Sequence, residues 1–161
     1  MFEREILSNQ FLLQYAGRLL TDIPDERWAE QPIAGVNHPA WIAGHLALSG
    51  ASAASLFGGE MSLDPKWSAM FGAGSQLSAT RSEYPTKDEL CQALDEAYQQ
   101  ARQAGEAATA EQAALPNTHP LLKQALPKRE HAFAFLLTSH VAVHLGQLSA
   151  WRRMIGLPAL F

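Results

Sequence analysis

The chain has 161 residues, 47% of them apolar and 17% charged, with twelve basic against sixteen acidic side chains and a formal net charge of −4. That length supports one domain, spanning 1–161, with a sizeable core, and the composition excludes an intrinsically disordered chain. No stretch gathers Lys or Arg into a stripe suited to a phosphate backbone, so nucleic acid is excluded as an expected partner.

The opening residues Met1-Phe2-Glu3-Arg4-Glu5-Ile6 carry acids where a secretory signal carries a basic region. No window reaches the roughly 18 uninterrupted apolar residues that a membrane span requires, so no membrane is expected. Cys91 is the single cysteine, which leaves no internal disulfide and makes a reducing cytoplasm the expected location. The basic pairs Lys128-Arg129 and Arg152-Arg153 read as solvated surface.

Proline positions divide the chain, because proline inside a helix removes a hydrogen bond and clashes with the preceding turn. Four long stretches, roughly 2–21, 38–57, 86–110 and 128–156, hold prolines only at their starts, and no strand-like alternation is evident between them. The fold class expected is all-α. In the first stretch Ile6, Leu7, Phe11, Leu12, Tyr15, Leu19 and Leu20 form an apolar face, with Glu3, Arg4, Gln10, Gln14 and Arg18 toward water.

The second stretch opens on Asn37-His38-Pro39, where Asn37 or His38 caps and Pro39 takes the first turn. Ala40, Ala43, Gly44, Ala47, Ala51 and Ala54 then line one side, a small-residue surface that lets another backbone approach and predicts a central helix. The connection from Gly58 to Pro85 is too long for a simple helical hairpin, so helices two and three need not be antiparallel neighbours, and the segment can cover one end of the protein. Within it Trp67, Met70 and Phe71 are expected to form an apolar lid or a dimer contact.

The third stretch begins with the capping box Thr86-Lys87-Asp88-Glu89 and presents Leu90, Leu94, Ala97, Tyr98 and Ala101 as its apolar face. Cys91 neighbours that face and reads as a small buried hydrophobe, not a nucleophile. The fourth stretch, from Phe133 to Trp151, is apolar nearly all round and ends at Gly156-Leu157-Pro158, which predicts one continuous, deeply buried helix.

Of the six histidines, His140 and His144 stand one helical turn apart, about 6 Å along the axis, and can converge on one ion. They project from a run of Leu, Val, Ala and Phe, where bare imidazole nitrogens are costly to bury. Either a metal, or backbone carbonyls and trapped water, must satisfy them. The best-placed third ligand is His45, whose neighbour Gly44 permits close approach to the fourth helix at Gly146. His38 and His131 lie too far along their helices to share the ion, and His119, in the loop Pro116-Asn117-Thr118-His119-Pro120, is expected to be solvated.

Three imidazoles leave coordination positions for water or substrate. Val141 follows His140, so the general-base Glu of H-E-x-x-H is missing and peptidase-like chemistry is disfavoured. Trp41 lies one turn before His45, and Gln147 and Trp151 continue the stripe of His144. They are expected either to line the pocket mouth or to fill the core, with Gln147 able to orient a ligand histidine. No catalytic residue is assigned.

Asn37-His38-Pro39-Ala40-Trp41-Ile42-Ala43-Gly44-His45-Leu46, followed by His140-Val141-Ala142-Val143-His144-Leu145-Gly146-Gln147-Leu148, resembles the DinB-like superfamily of metal-binding proteins. Tyr84-Pro85-Thr86 before the third helix and the closing Trp151-Arg152-Arg153-Met154-Ile155-Gly156 extend the likeness over nearly the whole chain. The resemblance implies a four-helix bundle, up-down-down-up with a long crossover between helices two and three. It also implies a homodimer and one divalent metal ion, Zn, Ni or Fe, on three histidines that map onto His45, His140 and His144. Family members with known activity include thiol-dependent transferases and an isomerase, which implies a low-molecular-weight thiol and a small electrophile as partners. The alternatives are a non-catalytic, stress-associated metal-binding dimer and, less favoured, a bundle without metal.

Overall fold

A computed structural model describes residues 1–60 and 63–160, and among these the fold is all-helical apart from turns and one isolated bridge between Pro116 and Lys128. The helices are α1 (Glu3–Thr21), α2 (Pro39–Ser55), α3 (Lys66–Phe71), α4 (Lys87–Ala107), α5 (Ala110–Ala114), α6 (Arg129–Leu137) and α7 (Ser139–Met154). Three of the four proline-bounded stretches thus become α1, α2 and α4 within a few residues. The capping box forms as expected, the Thr86 hydroxyl accepting from the Glu89 amide and the Glu89 carboxylate from the Thr86 amide.

The fourth stretch is divided at Thr138, whose backbone (φ −121°, ψ −82°) leaves the helical region. The Thr138 hydroxyl donates back to the Ala134 carbonyl at 2.6 Å, a bond that competes with the helical ladder. Carbonyls near the break find side chains instead: Asn9 donates to Leu137 O at 2.8 Å and the Tyr98 hydroxyl to Leu136 O at 3.3 Å. Inserted partners of this kind are the usual cause of a break. Arg129–Met154 has the length and mean hydropathy of a possible membrane span. Its apolar residues Phe133, Leu137, Val141, Leu145 and Leu148 are core residues packed on the rest of the chain.

The buried face of α1 differs from the expected one. Leu7 and Phe11 are 67% and 61% exposed, whereas Asn9 is fully buried beside Ile6, Ala16 and Leu19. The stripe therefore runs through Ile6, Asn9, Ala16, Leu19 and Leu20, and it tolerates Asn9 because that amide also accepts from Arg102 Nη1 at 2.8 Å.

Arg152 is likewise buried, not solvated: it donates to Leu19 O at 2.7 Å and forms an ion pair with Asp22, which joins α7 to the end of α1. The guanidinium holds the Asp22 carboxyl below the usual range, chiefly through that hydrogen bond. Arg129 is also partly buried and donates to Leu56 O at 2.8 Å.

Twelve of the seventeen residues of α2 are buried, as its small-residue surface predicts. Despite the long connection, α2 packs directly on α4: Ala47 sits with Ala93 and Ala97, and a Cβ at Gly50 would lie 2.9 Å from that of Ala97. Gly44 serves a different neighbour from the one expected. A Cβ there would fall 2.5 Å from the ring of Phe71, while Gly146 has nothing within 4 Å of its own Cβ direction. The connection, whose residues 61 and 62 lie outside the described residues, folds back on α2 through Phe71, Ser75 and Tyr84.

Candidate metal centre

His38 and His45, both on the α2 segment, are placed in opposite ways. His38 caps the helix: Nδ1 accepts from the Trp41 amide at 3.2 Å, so Nε2 carries the proton and donates to the Tyr84 hydroxyl at 3.3 Å. Burial pushes its pKa down to about 4. Both nitrogens are spent on the fold.

His45, two turns on, presents one nitrogen to the protein and one to the interior. Its Nδ1 lies 2.7 Å from the Phe71 carbonyl, which can only accept, so Nδ1 carries the hydrogen and Nε2 a lone pair. The ring stacks on Trp41 with centroids 4.6 Å apart and 8° between planes, and the Trp41 indole is held by Ser75 Oγ at 2.8 Å. Phe71 therefore orients the imidazole through its backbone, and Gly44 makes room for its ring.

From the other side α7 supplies His140 and His144. His140 Nε2 lies 3.3 Å from His45 Nε2, and His144 Nδ1 lies 3.0 Å from Gln147 Oε1. That oxygen also accepts from Asn37 Nδ2 at 3.1 Å, which fixes the amide orientation and leaves the second His144 nitrogen with a lone pair. One ligand nitrogen from each of His45, His140 and His144 lies within 4.8 Å of the others. Burial lowers the pKa of His140 to about 3 and of His144 to about 4, with the neighbouring imidazoles adding to it, and burial also lowers that of His45. All three rings are neutral near pH 7, the state in which imidazole ligates a metal.

The donor set fits a divalent cation. His140 Nδ1 is buried with no hydrogen-bond partner, and its Nε2 faces the lone pair of His45. Without an ion the two facing Nε2 atoms share at most one hydrogen, and a cation between them satisfies both lone pairs, with the His140 hydrogen then on Nδ1. An all-imidazole site suits Zn, Ni, Fe and Cu alike.

A cavity of about 260 Å³ adjoins His45 and His140, bounded by Leu48, Ser49, Phe135 and the 119–122 loop. His119, expected in solvent, is half-buried in its wall, and burial lowers its pKa. Trp41 touches the histidines from outside this cavity. Trp151 is fully buried, its indole donating to Glu30 O at 2.7 Å, and it lines none of the cavity wall. Trp67 and Phe71 meet edge to face within the connection, their centroids 5.0 Å apart. Sequence reasoning passed over the Phe71 carbonyl, which any residue type supplies, and Asn37 as a partner of Gln147, which only the fold brings together.

Searches of curated proteins and of solved structures returned no match. A family model described as DinB superfamily matches residues 12–148, a span holding all three converging histidines and Gln147, and the chain belongs to the DinB superfamily.

Proposed function

We propose that this protein is a metal-dependent transferase in which His45, His140 and His144 hold one divalent ion that activates a low-molecular-weight thiol toward a small electrophile. The carrying observation is the convergence of three neutral imidazoles, two of them oriented by hydrogen bonds, beside a cavity. Three protein ligands leave a position open, as in catalytic sites, whereas structural sites are closed by four. A bound ion of this kind lowers the pKa of a coordinated thiol or water and polarises an electrophile's oxygen.

The chain's own residues supply position and environment. Phe71 O and Gln147 Oε1 fix two of the ligand rings, Trp41 stacks against the third side, and the apolar wall of Leu48 and Phe135 limits water. Cys91 is not the thiol, since burial pushes its pKa up to about 11 and it stands on α4, away from the cavity wall. The reacting sulfur enters from solution.

In this reading the long helices form an up-down-down-up bundle with the 56–86 segment as crossover. Support comes from the order of contacts. Positions rise together where α1 meets α6 and α7 (Asn9 to Leu137, Leu19 to Arg152) and where α2 meets α4 (Ala47 to Ala93, Gly50 to Ala97). They run oppositely where α1 meets α4 (Asn9 to Arg102, Thr21 to Lys87). A homodimer is part of the reading, and the exposed Leu7 and Phe11 are apolar surface that a second copy covers. So is a cytoplasmic location, in keeping with one free thiol.

The test is metal analysis of purified protein and of His144→Ala, followed by a screen of the metal-loaded protein with several cellular thiols and a chromogenic aryl halide. The expected result is about one ion per chain, lost in the variant, and turnover with at least one thiol. A bound ion with no turnover in any combination assigns it a structural or sensory role instead.

A further inference from the structure

We propose that Arg129 recognises the anionic end, carboxylate or phosphate, of an elongated ligand whose other end lies at the three-histidine cluster. This rests on the preceding reading of that cluster. The cavity beside His45 and His140 adjoins a second, of about 290 Å³, and both are walled by Ser52 and His119. Together they make a trough along α2, past Ser49, Ser52 and Ser55, ending at Leu56 and Arg129. Ten residues of helix separate His45 from Ser55, about 15 Å at 1.5 Å per residue. A single small electrophile fills only the histidine end.

Arg129 stands at the far end with unused capacity. Nη1 donates to Leu56 O at 2.8 Å, Nε is buried with no partner, and no carboxylate pairs with it among the described residues. The adjacent Glu130 is directed instead to Lys128 at 3.4 Å and His131 at 3.7 Å. A guanidinium offers five donors in a planar fork that matches carboxylate or phosphate, and here it borders a cavity in a chain of net negative charge.

His119 marks the waist. Its Nδ1 accepts from the Leu121 amide at 3.3 Å, so Nε2 keeps a hydrogen to donate where the two cavities join. The loop carrying it is a built feature: buried Asn117 accepts from the His119 amide at 2.9 Å and donates to Leu126 O at 2.8 Å. Leu121, Leu122 and Phe135 wall the histidine end, so the middle of the ligand is apolar or mixed in character.

The test uses the full chain loaded with zinc. Titration calorimetry compares mercaptohexanoate, mercaptooctanoate and mercaptoundecanoate, each with a terminal thiol, against their methyl esters and the matching mercaptoalkyl phosphates. The acid or the phosphate is expected to bind about tenfold more tightly than the ester, as a charge-assisted hydrogen bond warrants, and only at the chain length that spans the trough. The more favoured of the two anions identifies the source. Arg129→Gln abolishes the preference, Arg129→Lys keeps part of it, and Lys128→Gln, which removes a neighbouring exposed charge, leaves it intact. Equal binding of acid, phosphate and ester to the unaltered protein at every length overturns the proposal, as does a preference that survives in folded Arg129→Gln. Octanoate against methyl octanoate on metal-free protein separates the two readings, since anion preference there persists even if no thiol binds the ion.

Discussion

His38 and His140 are both buried, both neutral and both depressed in pKa by the same cause, yet only one has a nitrogen free to ligate. His38 has each nitrogen answered by a protein group and acts as a helix cap. His140 has one nitrogen with no partner and another aimed at a second imidazole. Burial and shifted pKa therefore do not separate a histidine spent on the fold from one free to ligate. The unspent lone pair does.

The sharpest way to break this contrast is to truncate each ring. His140→Ala is expected to lower metal affinity on the order of a thousandfold, about 4 kcal/mol, measured by competition with a chromogenic chelator. His38→Asn, which keeps a capping oxygen, is expected to leave metal bound. If both variants lose the ion equally, the distinction fails.

The next effect is on acid stability. His38 has a folded pKa of about 4 against the ordinary histidine value of 6.5, so the unfolded chain takes up a proton that the folded one refuses. Its contribution is complete above pH 6.5 and is lost as pH falls toward 4, by about 3 kcal/mol in all. His38→Asn removes the titration, so urea unfolding of metal-free protein across that range should show a shallower loss in the variant than in the parent.

Gly44→Ala tests the orienting contact behind His45. The added methyl meets the Phe71 ring at 2.5 Å, and overpacking of this kind costs about 1–3 kcal/mol. Thermal unfolding should register that loss. Metal affinity should fall as well, because the Phe71 carbonyl moves with its ring. The smallest effect is expected for Gln147→Ala, which removes an exposed amide that holds His144: roughly a tenfold loss of affinity, with stability changed by less than about 0.5 kcal/mol.

The sites of these substitutions also show what a sequence exposes and what it hides. Prolines and the Thr86 capping box delimit α1, α2 and α4 because proline geometry and capping are local effects. Helical spacing brings His140 and His144 together for the same reason. The break at Thr138 is not local: it depends on Asn9 and Tyr98 arriving from other helices to take up carbonyls that the ladder gives up. Asn9 was hidden for a related reason, since its polarity places it in water until Arg102 and Leu137 are adjacent. Leu7 and Phe11 then fall outside the buried stripe by a modest rotation of the helix. The short helix α3 has too few residues for periodicity to reveal, and its one contribution to His45 is a backbone oxygen. Arg129 and Arg152 looked like surface pairs because charge run alone does not tell which of two adjacent cations is turned inward.

Thr138 stands two residues ahead of the first imidazole of α7, and that position decides how mechanical disturbance reaches the centre. In an unbroken helix, one residue gained or lost upstream turns everything beyond it by about 100°, which would swing both rings away from His45. With the ladder broken at Thr138, the aim of His140 and His144 is set by their own short helix and its anchorage at Asn37 and Arg152.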